Sequence, residues 1–165
     1  MPDDDIVLSA KDINSLFDIC SKRKLQLAQP AVQGYVSHPL HRQRRHFIIR
    51  YVNFVEVLAP CMSIAAFSRL VDSFDLTQSS WGIDYIWPHL LGYPKNSIAV
   101  IDSIVMIHTR PVGTDYSRFE MPPPNELRAI LKEYRVSADI KTYSALVTDY
   151  IRVPRLLFLL GELRW

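Results

Sequence analysis

Three stretches of the chain place chemistry-bearing side chains close together. Asp3, Asp4 and Asp5 run straight into the apolar residues Ile6-Val7-Leu8. In an extended chain alternate side chains share a side, which puts Asp3 with Asp5. Two such carboxylates repel each other unless a cation or water lies between them. Oxygen ligands suit hard ions such as Mg²⁺ or Mn²⁺, and the plain alternative is a solvated acidic segment. Trp81-Gly82-Ile83-Asp84 sets a carboxylate beside an indole where a loop meets a helix. The helix dipole would stabilise a charged Asp84 in the first turn, an account complete without catalysis. The functional alternative makes Asp84 a general base, Trp81 an apolar wall and Gly82 the point where a ligand nears the backbone. His108, at the end of an apolar run, is either a hydrogen-bonded structural residue or a nitrogen ligand that tilts preference toward Mn²⁺. Arg110 suits a phosphate or a neighbouring carboxylate equally. Glu56, inside Phe54-Val55-Glu56-Val57, either faces water at an edge or, if buried, needs a partner.

Other chemistries are excluded. The sequence has no glycine-rich phosphate loop, no Gly-x-Ser-x-Gly elbow and no His-Glu-x-x-His pair. Cys20 and Cys61 show no metal spacing, no disulfide framework and no histidine partner, which argues against thiol catalysis. They suit a reducing, cytoplasmic compartment, with a single bridge left open. The balance of 19 basic against 17 acidic residues gives +2, which does not point to nucleic acid. With 165 residues, 48% of them hydrophobic, the chain has the size of one domain or a piece of one. The longest apolar run, Leu156 to Leu160, is far short of the roughly 20 residues a membrane span needs. The acidic opening lacks the apolar core of a signal peptide. Because it leads directly into a strand-like stretch, residues upstream are expected to be missing.

Periodicity predicts the elements that must hold these groups. Ser9 caps a helix to about Arg23, with Ile13, Leu16, Phe17 and Cys20 on one face. Leu25 to Gln29 reads as a short strand stopped by Pro30. The segment from Val32 to Arg50 contains turn residues and the basic run Arg42 to His46, read as a solvated loop in preference to an anion or sugar site. Phe47 to Ala59 reads as one long strand or a strand pair. A helix follows Ser63, and Thr77 to Ser80 form a polar loop. Trp81 to Gly92 begins a helix that Pro88 kinks or breaks. Ile98 to Ile101 and Ile104 to Ile107 read as two buried strands separated by Asp102-Ser103. After the linker Met121 to Pro124 a helix runs to about Arg135. The last thirty residues read as helical, with Ile151, Leu156, Leu157 and Leu160 docking on the core. The fold class expected is α/β or α+β, with a core at 1–120 and a helical extension at 121–165.

Taken in order, these segments resemble a known family. They are Pro2-Asp3-Asp4-Asp5-Ile6, Leu27-Ala28-Gln29-Pro30-Ala31, Asn53 to Pro60, Ser80-Trp81-Gly82-Ile83-Asp84-Tyr85, Ile98 to Asp102, and His108-Thr109-Arg110-Pro111-Val112-Gly113. The chain resembles plant and bacterial proteins grouped as a domain of unknown function that is itself similar to GT-A glycosyltransferases. The likeness runs from about residue 2 to residue 118.

The resemblance implies a GT-A-like mixed sheet flanked by helices, without the Rossmann-like half that holds the nucleoside and precedes the acidic motif in the family. It implies metal-dependent transfer of a sugar from a nucleotide-sugar to a hydroxyl acceptor. Asp3, Asp5 and His108 would hold Mn²⁺ or Mg²⁺, and Asp84 would deprotonate the acceptor. Asp4, Glu56, Trp81, Gly82 and Arg110 would line the substrate site. Sugar, nucleotide, acceptor and stereochemical outcome stay open. One rival is a non-catalytic binding or assembly module of the same fold, forming a homodimer or covering its exposed face with a partner. A second is a metal-dependent hydrolase using the same carboxylates with water.

Overall fold

Ser9 caps the first helix as its spacing requires. Its hydroxyl oxygen accepts the Asp12 backbone N–H at 3.1 Å and its hydroxyl donates to the Asp12 carboxylate at 2.6 Å, opening α1 (Ala10–Lys22). The computed structural model describes residues 3–111, 116, 119–148 and 151–155. Of the expected apolar face only Leu16 is buried, whereas Ile13 and Phe17 are exposed.

The remaining elements are β1 (Ile6–Val7), β2 (Leu27–Gly34), β3 (Ile49–Val52), β4 (Cys61–Met62), α2 (Ile64–Leu70), α3 (Ile83–Leu90), β5 (Ile98–His108), α4 (Pro123–Tyr134), β6 (Thr142–Leu146) and β7 (Arg152–Pro154). The strands form one seven-stranded mixed sheet in the order β4-β2-β5-β3-β6-β7, with β1 paired to the end of β5. β2 and β5 run parallel and every other pair is antiparallel. This is an α/β architecture with helices flanking the sheet, as expected in its coarse class. Among the described residues no helix is long and apolar enough to cross a membrane.

Along β5, Ile98 and Val100 point to one side and Ala99 and Ile101 to the other, the two-residue alternation of a strand covered on both faces. The first side packs with Leu70, Ile83, Ile86, Trp87 and Ile130 from the helices after β4, and the second with Leu16 of α1.

Several elements differ from the sequence reading. β2 does not stop at Pro30: it continues to Gly34, because the register against β5 shifts between Pro30 and Ala31. Proline lacks a ladder donor and is tolerated where the ladder is already interrupted. For the same reason the two apolar runs around Asp102-Ser103 are a single strand with an irregularity in it. The strand expected from Phe47 to Ala59 is confined to Ile49–Val52, and Glu56 lies in the loop that follows. Pro88 falls inside α3, which continues to Leu90. The last helix starts at Pro123, since a proline without an N–H fits a first-turn position. The stretch read as helical at the end contains β6 and β7. The pairing of β6 with β3 and of β7 with β6 places Thr142–Leu146 and Arg152–Pro154 at one side of the same sheet, and Ile151 is exposed. The expected docking of Leu156, Leu157 and Leu160 lies outside the described residues.

The strand irregularity frees Asp102 to pair with Arg50 of β3. The guanidinium donates Nε and Nη2 hydrogens to the Asp102 carboxylate at 2.7 and 3.0 Å and Nη hydrogens to the carbonyls of Leu40 and Arg42 at 2.5 and 2.9 Å. The Arg44 backbone N–H donates to Asp102 at 2.7 Å, so the basic loop is tied to the sheet by its main chain. Both partners are buried. Asp102→Ala should cost about 3–5 kcal/mol by stranding a buried guanidinium. In denaturant unfolding the Arg50→Met/Asp102→Leu double variant should lose much less.

Candidate functional site

Gly34 ends β2 with φ +83°, and a Cβ there would lie 2.3 Å from the His108 carbonyl oxygen. Only glycine allows this approach. It brings the Tyr35 carbonyl to 2.8 Å from His108 Nδ1. A carbonyl only accepts, so Nδ1 carries the hydrogen. His108 Nε2 then faces Asp5 Oδ2 at 3.0 Å, while Asp5 Oδ1 is buried without a hydrogen-bond partner. Asp5 is held in turn by the residue after β5, since the Thr109 N–H and hydroxyl donate to its carbonyl at 3.0 and 2.9 Å.

The acidic segment is a turn, not an extended strand. The Ile6 N–H reaches the Asp3 carbonyl at 3.3 Å and the Asp3 N–H donates to the Leu58 carbonyl at 2.8 Å. The turn gives the three carboxylates different surroundings. Asp5 faces His108, Arg110 pairs with Asp4 on the surface and also comes within 3.5 Å of Asp5 Oδ2, and Asp3 lines a cavity of about 350 Å³. Burial and then the charge of Asp5 push the Asp3 carboxyl above its usual range, against the opposing pull of His108. Asp4 and Arg110 are not among the cavity's lining residues.

The cavity gathers Asp3, Glu56, Trp81, Gly82 and Asp84 from three distant stretches of sequence. The Glu126 carboxylate of α4 positions the second wall by accepting the Gln78 and Ser79 N–H groups at 2.9 and 3.0 Å. Gly82 then opens α3 at φ +97°, where a Cβ would meet Leu127 Cα at 3.1 Å and Ile130 Cβ at 3.2 Å. Close packing of α3 on α4 thus delivers Asp84 to the cavity. Burial, then the charge of Glu56, raises Asp84 from its ordinary 3.8 to about 7, although His38 and the Tyr85 N–H pull the other way.

Sequence reasoning missed His38, His41 and Tyr85. His38 and His41 bracket a 3₁₀ turn, Pro39–His41. In such a turn residues three apart eclipse one another, so the His-Pro-Leu-His spacing with proline at the first position was the available signal. Both imidazoles meet Glu56. His38 Nδ1 contacts Oε1 closely, and His41 Nδ1 lies 3.0 Å from Oε2. Tyr85 Oη is 3.0 Å from His38 Nε2. Burial works to raise the Glu56 pKa, but the two imidazoles outweigh it and bring it down to about 2. His38 is raised: burial opposes its charge, and Glu56 with Asp84 prevails.

The site is therefore a pocket at one end of a mixed α/β sheet, in which carboxylates and imidazoles face one another beside an indole wall. No protein-family model, characterised protein or solved structure matches the chain.

The two carboxylates have opposite signs in the stability profile. Asp84 binds its proton more tightly when folded, so stability should fall as pH rises from about 4 to about 7. Asp84→Asn should reduce that fall in thermal unfolding followed across pH, leaving the smaller share of Asp3 and Asp102, which are also raised. Glu56 has a depressed folded pKa, so its contribution is present above about 4.5 and lost as pH falls toward about 2.

Proposed function

We propose that this chain carries the acceptor side of a GT-A-like, metal-dependent glycosyltransferase site. The observation that carries the reading is the single cavity in which Asp84, Trp81, Gly82, Glu56 and Asp3 meet. Asp84 is a carboxylate with a pKa of about 7, which suits taking a proton near neutral pH. Trp81, edge-on to Tyr116 with ring centroids 5.6 Å apart, offers an apolar face against which a sugar ring can lie.

Of the three residues expected to hold a divalent ion, Asp5 and His108 face each other, whereas the ligand atoms of Asp3, Asp5 and His108 do not all lie within 4.8 Å of one another, so Asp3 would have to close on the pair. The Tyr35 carbonyl holds the hydrogen on His108 Nδ1, leaving Nε2 for coordination in the neutral ring, the arrangement found around metal-bound histidines. Asp5 Oδ1 is a buried oxygen still in need of a partner. Asp3, Asp5 and His108 would hold Mn²⁺ or Mg²⁺, which when bound supplies Lewis-acid stabilisation to a departing diphosphate. The chain's own groups do the rest. Glu56 and Trp81 orient the acceptor in the cavity. Asp84 takes the hydroxyl proton as the acceptor oxygen bonds to the anomeric carbon of the donor sugar, and the bond from that carbon to the diphosphate oxygen breaks with its electron pair leaving on oxygen.

A panel of nucleotide-sugars and hydroxyl acceptors with Mn²⁺ tests this reading. Asp84→Asn should lower transfer by about 10²–10⁴-fold while Mn²⁺ binding by calorimetry stays unchanged; wild-type turnover in that variant removes the base from the mechanism. Calorimetry should also show Mn²⁺ binding tightened by a nucleoside diphosphate and lost in Asp5→Ala/His108→Ala.

A second reading, an assembly module, is favoured by one observation. Apolar side chains stand exposed on α1 (Ile13 and Phe17) and on α2 (Ile64 and Phe67). Concentration-dependent association in sedimentation, lost in Phe17→Ser/Ile64→Ser, would support it.

A further inference from the structure

Glu56 is a buried carboxylate between two imidazoles, and its contacts do not close as hydrogen bonds alone. His41 Nε2 lies 3.3 Å from the Phe54 carbonyl, so in the neutral ring the hydrogen sits on Nε2 and a lone pair on Nδ1. That Nδ1 is 3.0 Å from Glu56 Oε2, yet neither atom has a hydrogen-bond partner, because the pair lacks hydrogen-bond alignment. The His41 side chain is 0% exposed and that of Glu56 5%, so water does not reach them freely to satisfy either atom. A lone pair held against a carboxylate oxygen in a low-dielectric setting is repulsive, so Nδ1 must share a positive charge with Glu56, either a second proton on the ring or a cation held between the two atoms. His38 Nδ1, on the same side of the 3₁₀ turn, faces the other oxygen of the same carboxylate.

We propose that His38, His41 and Glu56 form a metal site for a borderline divalent ion of the Zn²⁺ class, distinct from the site at Asp5 and His108. Their ligand atoms lie within 4.8 Å of one another, and this is the one such set among the described residues. Two imidazoles and one carboxylate select zinc-like ions and are a poor match for Mg²⁺ or Ca²⁺, which prefer oxygen alone. The surroundings are those of a held ligand set. The Phe54 carbonyl fixes the His41 tautomer, Tyr85 Oη meets the far nitrogen of His38, and the Gln29 side-chain oxygen accepts the Glu56 backbone N–H at 2.7 Å. Three protein ligands leave a fourth position. Since His38 and Glu56 both line the cavity, that position opens toward it, as in zinc sites that bind water or substrate.

The test is titration of the chelator-stripped full chain with Co²⁺, followed by its visible d–d absorption, with Zn²⁺ as competitor. The expected result is one equivalent of Co²⁺ with the intense bands of a four-coordinate ion, displaced by Zn²⁺. Affinity should fall at least about tenfold in His38→Ala and in Glu56→Gln and be retained in Asp5→Asn. Far-UV circular dichroism confirms that each variant is folded; His38, the least buried of the three, provides the variant if Glu56→Gln does not fold. A spectrum of the aqua ion alone overturns the proposal. So does a bound-ion spectrum that survives in His38→Ala and disappears in Asp5→Asn, which would place the ion at the other carboxylate–histidine pair. Because the readout involves neither sugar donor nor acceptor, failure of the transferase reading leaves this result unaffected.

Discussion

A proline without an amide hydrogen sits in the middle of β2, and the sheet is arranged around that fact. Pro30 cannot donate to the parallel ladder, and the register against β5 shifts at the next residue. The residues of β5 passed over by the shift include Asp102, whose buried carboxylate takes up the Arg50 guanidinium and the Arg44 amide. Beyond the shift the two strands run on together and deliver Gly34 and His108 to the same level. The close contact of Gly34 with the His108 carbonyl then sets the Tyr35 carbonyl against the imidazole. A backbone defect is thus coupled to a buried ion pair on one side and to the geometry of a candidate ligand on the other.

Two imidazole–carboxylate contacts follow one theme. His108 and His41 each have one ring nitrogen directed at a main-chain carbonyl and the other facing a carboxylate oxygen. In both places a carboxylate oxygen is left buried without a hydrogen bond, Oδ1 of Asp5 and Oε2 of Glu56. Buried polar atoms in folded proteins are rarely left so, which makes these two the natural places for a positive charge to lodge. Asp84, which lines the cavity with Glu56, is pushed the other way. It has no imidazole hydrogen-bonded to it and feels the charge of Glu56, so it holds its proton to about neutral pH. One pocket therefore contains a carboxylate kept strongly acidic by its imidazole partners and another kept weakly acidic by burial, the separation of roles that acid–base chemistry requires.

Part of this was legible in the chain itself. Ser9 and Asp12 cap α1, Lys22 closes it and the polar segment at 77–80 precedes a helix, because capping and charge–dipole interactions act over three or four residues. Trp81, Gly82 and Asp84 stood out as a unit for the same reason. The alternating burial of β5 was visible as apolar runs, although its continuity through Asp102 was not, since the interruption depends on a proline in the neighbouring strand.

The sequence by itself determined the local elements and the identity of most cavity residues, because residue type and short spacing are properties of the chain alone. Only the tertiary structure decided which of them meet. It set Asp3, Asp4 and Asp5 on a turn where Asp4 and Asp5 share Arg110 while Asp3 lines the cavity, and it placed the final strands in the main sheet where a helical tail was expected. It also joined Glu56 to His38 and His41, contacts that a basic, proline-containing loop did not announce. These outcomes rest on strand register and on the burial of charge, which arise from pairing distant segments and have no counterpart in any short stretch of sequence.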